Sequence, residues 1–217
     1  MDTEALHEYY AARAPEYDGI YKKPERQQDL RAIERWLPSV LGDRATLEVA
    51  CGTGYWTQFV SSTARELVAI DASAEVLGIA KARVKPARVS FVRGDAYRLP
   101  VASRRFEACF AGFWFSHVRR GRVPAFLRGL HQVLVPGARV ILLDNRFVPG
   151  SSTPIAERDS EGNTYQVRRL EDGSAYRVLK NFPSELALRE AVSGLVSEIR
   201  FHEWRYFWAL EYVAAAP

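Results

Sequence analysis

The chain has 217 residues, of which 47% are hydrophobic and 26% charged, with a net charge of +4 at neutral pH. That is the balance of a globular protein of one α/β-sized domain. No apolar run approaches the length that spans a bilayer. The acidic start MDTEALHEYY lacks the apolar core of a signal peptide. The short basic clusters at 103–105 and 118–122 fall short of a nucleic-acid footprint. Cys51 and Cys109 both stand in apolar, strand-like contexts, as reduced core residues do. A cytoplasmic protein is expected.

In chain order, helices are predicted over 4–14 and 25–37, separated by PEYDGIYKKPE. ATLEVA (45–50) reads as a buried strand, with a helix from about 55 to 62. ELVAID (66–71) is a second strand, and Ser73 caps a helix over 74–85. RVSFVRGD (88–95) and FEACFAGF (106–113) are the third and fourth strands. A helix over 121–134 is stopped by VPGA, and RVILLD (139–144) is the fifth strand. These strands are too apolar to leave one face wet, so a parallel sheet covered by helices on both sides is predicted. Past Asp144, residues 145–164 are rich in Gly, Ser, Pro and Asn. TYQVRRL and AYRVLKNF then form a hairpin, and a helix (184–195) and the strands SEIRFHEW and YFWALEYVA close the chain. An insertion at the ligand-bearing end of the sheet is a natural lid.

Ligands of such sheets bind beyond the C-terminal strand ends, so those residues carry the functional reading. LEVACGTGYW (47–56) runs a strand into Gly52 and Gly54, where backbone N–H groups can meet a ligand. The third glycine of a dinucleotide fingerprint is missing, and so is the Gly-Lys-Ser/Thr of a phosphate loop. Asp71, 17 residues after Gly54, ends strand two and can accept from both hydroxyls of a ribose. Asp95 ends strand three, within reach of a purine amine. Glu48 lies inside strand one, where an unpaired charge is expensive and a cationic partner would rationalise it. Taken singly, Asp71 is explained as well by a helix cap and Asp95 by a turn. Together the three acids favour a phosphate-free nucleoside with a positively charged tail.

The stretches LEVACGTGYWT, VAIDASAEVLGIAKAR, VRGDAYRLP, FEACFAGFWFSHV and FLRGLHQVLVPGARVILLD, in that order over 45–144, resemble the class I S-adenosylmethionine-dependent methyltransferases of the small-molecule type. The resemblance implies a Rossmann-like seven-stranded, mostly parallel sheet with helices on both faces, in a single domain over 1–217. It comprises a helical cap (1–40), a cofactor core (45–144), a lid (145–182) and a C-terminal helix and strands (183–217). It implies that Ala50, Gly52 and Gly54 pass beneath the methionine part of S-adenosylmethionine. Asp71, with Ala72 beside it, would hold the ribose. Asp95 would sit near the adenine amine, Ala96 or Tyr97 would flank the base, and a carbonyl near Ala111 or Gly112 would meet the ammonium. Ala50 stands where many members have glycine. Of the cap tyrosines Tyr9, Tyr10, Tyr17 and Tyr21, the last two are expected to touch cofactor, although packing of the cap explains such rings equally well.

His117, just past strand four, is the candidate general base; capping a helix or filling a polar gap is the equal alternative. Trp56, Trp114 and Phe115, with Phe147, Tyr165 and Tyr176 of the lid, suit a flat, aromatic or apolar acceptor, and are also ordinary core residues. Arg146, Arg168 and Arg177 pair with an acidic group on the substrate or face water. The reading is methyl transfer to an oxygen or nitrogen of a small molecule, by a monomer or homodimer. An RNA substrate is the alternative, disfavoured by GFWF after strand four, and a non-catalytic cofactor-binding protein is another. Asp144-Asn145 matches half of a metal site of catechol-type relatives. No second acid follows strand four, so no metal is expected.

Overall fold

A computed structural model describes residues 2–84 and 88–215, with side chains from residue 8 onward. His7 and the end of the helix expected over 74–85 therefore lie partly outside the described residues.

Among the described residues ten strands and six α-helices follow one another, and the expected strands occur in their expected order. The strands Ala45–Val49 (β1), Glu66–Asp71 (β2), Val89–Arg93 (β3), Phe106–Gly112 (β4) and Leu134–Asn145 (β5) are parallel. The last two strands of the chain, Val196–Glu203 (β9) and Phe207–Ala214 (β10), complete a seven-stranded sheet ordered β3-β2-β1-β4-β5-β10-β9. β10 inserts antiparallel between β5 and β9. The strand order reverses between β1 and β4, and the crevice beyond their carboxyl ends is the site such a sheet offers a ligand.

The two-residue period of the strands divides the core between the faces. Leu47, Val49, Cys109, Ala111, Val140 and Leu142 pack in one cluster with Phe126, Leu127 and Leu130 of the helix Val123–Gln132 (α5). Leu67, Ala108, Phe110, Ile141 and Leu143 pack in the other with Leu30, Ile33, Leu37 and Leu41 of the helix Gln27–Leu41 (α2). The helical partners recur every three to four residues, so each helix buries one stripe. Each fully buried Leu, Ile or Phe contributes about 1.5–3 kcal/mol of apolar transfer.

Three local expectations change. The helix expected over 55–62 shrinks to one turn, Thr57–Val60 (α3), because residues 50–56 are consumed by the glycine turn. β5 starts at Leu134 rather than 139: Leu134 pairs with Phe106, and VPGA (135–138) is taken up in a register shift before Arg139 meets Ala108. The insertion after β5 is a small three-stranded sheet of Glu157–Arg158 (β6), Thr164–Arg169 (β7) and Ala175–Leu179 (β8), rather than a hairpin alone. The N-terminal helix Asp2–Arg13 (α1) runs on through a 3-10 segment, Ala14–Tyr21, opened by Pro15. Among the described residues no helix is long and apolar enough to cross a membrane.

Glu48 departs furthest from its expected role. It sits in the middle of β1 at 2% exposure, one carboxyl oxygen has no hydrogen-bond partner, and burial pushes its pKa up to about 8. It is therefore neutral at pH 7 and offers no charge to a cation. Between about pH 4.5 and 8 the folded protein holds a proton that the unfolded chain has released, so stability falls as pH rises through that window. Glu48→Gln removes the linkage. The variant should match the wild type at pH 5 and exceed it by about 2–4 kcal/mol at pH 8. Melting curves of the two proteins that run parallel from pH 5 to 8 would return Glu48 to an ordinary carboxylate.

Candidate active site

The turn after β1 is left-handed at three places: Ala50 (φ 56°), Gly52 (φ 55°) and Gly54 (φ 76°). Ala50 carries the steric cost that glycine avoids, roughly 1–2 kcal/mol. Asp71, at the end of β2, fastens this turn. One of its oxygens accepts the Gly52 N–H at 2.9 Å and the other the Ser73 N–H at 3.0 Å. Ser73 caps the helix Ala74–Arg83 (α4) by accepting from Val76 N.

A cleft opens above these strand ends. Ala50 and Gly52 follow β1, Asp71 ends β2 with Ala72 and Ser73 after it, and Gly94, Asp95 and Ala96 follow β3. Gly112, Phe113, Trp114 and His117 follow β4, and Tyr10 and Tyr17 close it from the cap. Among the described residues no lysine or arginine lines it. Such a wall presents acids at two strand ends and no cation, which fits a ribose and a purine without phosphates. Trp114 adds a buried indole N–H with no hydrogen-bond partner. Asp95 already accepts from Tyr97 N at 2.9 Å, and the Tyr97 ring meets Trp114 edge to face.

Several expected residues are elsewhere. Gly54 turns away from the cleft, and a Cβ there would stand 3.0 Å from the Cα and Cβ of Ala80 in α4. The second glycine thus lets the turn pack closely against α4. Ala111 stays inside β4, and the next residue, Gly112, reaches the cleft. Tyr21 is buried, stacked on Tyr55. Trp56 and Phe115 belong to the two core clusters. Arg146 donates to the Trp204 carbonyl and pairs with Glu203. Tyr165 is buried, donates to Asp159 and lies under Arg177, which Glu157 neutralises. Tyr17, Ala50, Gly52, Asp71, Ala72, Asp95, Ala96, Trp114 and His117 do meet in one cleft.

His117 is 5% exposed and doubly tied. Its Nδ1 lies 2.6 Å from the Leu179 carbonyl, which can only accept, so the ring proton is on Nδ1. Nε2 is therefore the acceptor, and the Tyr10 hydroxyl donates to it at 2.8 Å. Burial, helped by the positive charge of Lys180, holds the His117 pKa well below its usual value. Lys180 itself, at the end of β8, bonds Asp144 at 2.8 Å and the Ser116 hydroxyl at 2.6 Å. Burial pushes the Asp144 carboxyl up, but Lys180 outweighs it and keeps it ionised. Asp144, weighed above as half of a metal pair, is thus the counter-ion of a buried lysine. Among the described residues no group of acids, histidines and cysteines is arranged around a metal ion.

Sequence reading named Tyr10 only among the cap tyrosines and missed Phe113 and Lys180. Lys180 left a signal, a lysine within the apolar run RVLKNF. Phe113 (φ 60°) left none, since its backbone is set by a hydrogen bond to Leu143 of β5. Tyr10, Tyr17, Phe113 and His117 also wall a second cavity, which extends beneath β7 of the three-stranded sheet.

Residues 46–137 match a family model described as a methyltransferase domain. A 2-phytyl-1,4-naphtoquinone methyltransferase of Synechocystis sp. is 30% identical over 151 residues, covering 65% of this chain and 62% of that protein. A demethylmenaquinone methyltransferase of Staphylococcus aureus is 31% identical over 142 residues, covering 59% and 58%. The chain thus spans about three fifths of the length of these curated relatives. A solved structure described as a DhpI-SAM-HEP complex superposes with a TM-score of 0.81 at 30% identity, covering 97% of this chain and 96% of that one.

Proposed function

The chain belongs to the class I S-adenosylmethionine-dependent methyltransferases, and on that premise we propose that it transfers a methyl group from S-adenosylmethionine to an oxygen or nitrogen of a small molecule. The observation that carries this is the shared wall of Tyr10, Tyr17, Phe113 and His117, which joins a phosphate-free nucleoside cleft to a second cavity. The cofactor supplies an electrophilic methyl carbon on a sulfonium. Asp71 holds the ribose, Asp95 meets the adenine amine, and the Ala50–Gly52 turn lies against the methionine part. The Tyr17 face suits the sulfonium charge. The rings of the shared wall exclude water and suit a flat portion of the acceptor. Where the acceptor atom carries a proton, it donates to the Tyr10 oxygen while Tyr10 passes its own proton to Nε2 of His117. His117 is then a base acting through Tyr10.

No metal takes part in this scheme. We place the protein in the cytoplasm, as a monomer or homodimer with no nucleic-acid or membrane partner. The test is incubation with methyl-labelled S-adenosylmethionine and small-molecule metabolite extracts, with calorimetry of S-adenosylhomocysteine alongside. Labelled small molecules are expected. Tight S-adenosylhomocysteine binding with no labelled product would make this a non-catalytic binder, and labelled RNA would move the substrate class.

A further inference from the structure

The second cavity, of about 260 Å³, lies between the cap, the segment 151–153 and the lid strand β7. Arg13, Lys23, Arg26, Arg168, Arg169 and Lys180 line it, against one carboxylate, Glu16. Among the described residues only Lys180 has an ion-pair partner, Asp144. Arg26 is 6% exposed, and its guanidinium donates to Ser151 and to the side-chain oxygen of Asn145, all neutral acceptors. Glu25 approaches only as far as the Ser151 hydroxyl. Arg168 donates to the Gln166 side-chain oxygen at 2.8 and 3.2 Å. Arg13 donates to the Tyr9 hydroxyl, and Lys23 to the Ser151 carbonyl. Among the described residues, none of these four cations forms an ion pair.

Buried guanidinium groups with neutral partners are expensive unless an anion joins them. The cations also feel one another. Burial lowers the pKa values of Lys23, Arg26 and Lys180; Glu25 opposes this for Lys23 and Arg26 and Asp144 for Lys180, while the charge of Arg168 lowers each of them further. Such mutual repulsion is retained where a ligand relieves it. The cofactor does not: its methionine tail carries a single carboxylate beside its own ammonium. An ordinary solvated basic face does not account for Arg26, which is buried.

We propose that the acceptor is a compact acid carrying two negative charges, held by Arg168 and Arg26 under the lid so that its reactive atom meets the shared wall of the cofactor cleft. This rests on the methyl-transfer reading and names its substrate class. The planar donors of two arginines suit bidentate grip of a phosphoryl-type or dicarboxylate group. The Lys180–Asp144 pair fixes the end of β8 beside it, and the charge on Arg13 and Lys23 draws the anion in.

The test uses the full chain saturated with S-adenosylhomocysteine and reads melting temperature and titration calorimetry at matched ionic strength. Inorganic phosphate at pH 8 and malonate are the dianionic probes, and acetate and chloride are the monovalent ones. At least one dianion is expected to bind at least about tenfold more tightly than acetate. Whichever dianion binds more tightly names the class, phosphoryl or dicarboxylate. Arg168→Gln is expected to lose that preference while S-adenosylhomocysteine affinity stays within a few fold. Arg26→Gln serves the same purpose if Arg168→Gln does not fold. Equal response to all four anions, or a dianion preference that survives both substitutions, overturns the proposal. Failure of the wild type to bind S-adenosylhomocysteine overturns instead the methyl-transfer reading beneath it.

Discussion

Asp71→Ala should weaken S-adenosylhomocysteine binding by about 30- to 150-fold, the equivalent of about 2–3 kcal/mol for hydrogen bonds to an ionised acceptor. The carboxylate has two tasks in the proposed site. Its oxygens hold Gly52 N–H and Ser73 N–H, and so fix the turns after β1 and β2 relative to each other. Asp71 also lines the cleft, where the ribose hydroxyls would donate to its carboxylate. Alanine loses both functions and leaves two backbone donors to water. Asp71→Asn separates them. The amide keeps one oxygen for a backbone N–H but turns a donor toward a donor at the other position. A loss between that of alanine and the wild type is expected. Calorimetry on the three proteins decides the matter, and a change of less than threefold in Asp71→Ala would remove the ribose assignment.

Gly54→Ala should cost about 2–4 kcal/mol of stability, or about 5–15 °C in Tm for a chain of this size. Two effects add. The residue sits at φ 76°, where a side chain costs roughly 1–2 kcal/mol. The added methyl would also lie 3.0 Å from the Cα and Cβ of Ala80, backbone-level contacts that cannot rotate away. Either α4 lifts from the glycine turn or the turn shifts, and Ser73, the cap of α4, and Val76 in its first turn, which line the cleft, move with it. Gly78→Ala in the same helix is the control. Nothing lies within 4 Å of its added methyl, and helix propensity favours alanine by about 0.5–1 kcal/mol. Thermal melts that give the two variants the same Tm would mean that α4 is not seated on Gly54.

The class of fold was legible in the sequence because two periodicities mark it. Alternate residues of 108–111 and 140–143 fall into opposite core clusters, and α2 shows one buried stripe. The strand-end residues Ala50, Gly52, Asp71, Asp95 and Ala96 were legible for a related reason. A parallel sheet brings all its carboxyl ends to one edge, so residues at successive strand ends become neighbours whatever lies between them in sequence. Glu48 shows the limit of that logic, since its position inside β1 was read correctly and its charge state was not.

The sequence by itself determined the sheet, its two covering layers and the acidic rim, because local pattern and hydrophobic period are enough to place strand ends. Tertiary structure alone decided the partners of His117, which are 107 residues back at Tyr10 and 62 residues on at Leu179. It also decided that Arg26, Asn145 and Ser151 meet, across separations of 119 and 125 residues. Such contacts depend on how the cap and the lid fold back over the sheet. No short-range spacing encodes that closure, so neither the Lys180–Asp144 pair nor the ring of cations could be read from the chain.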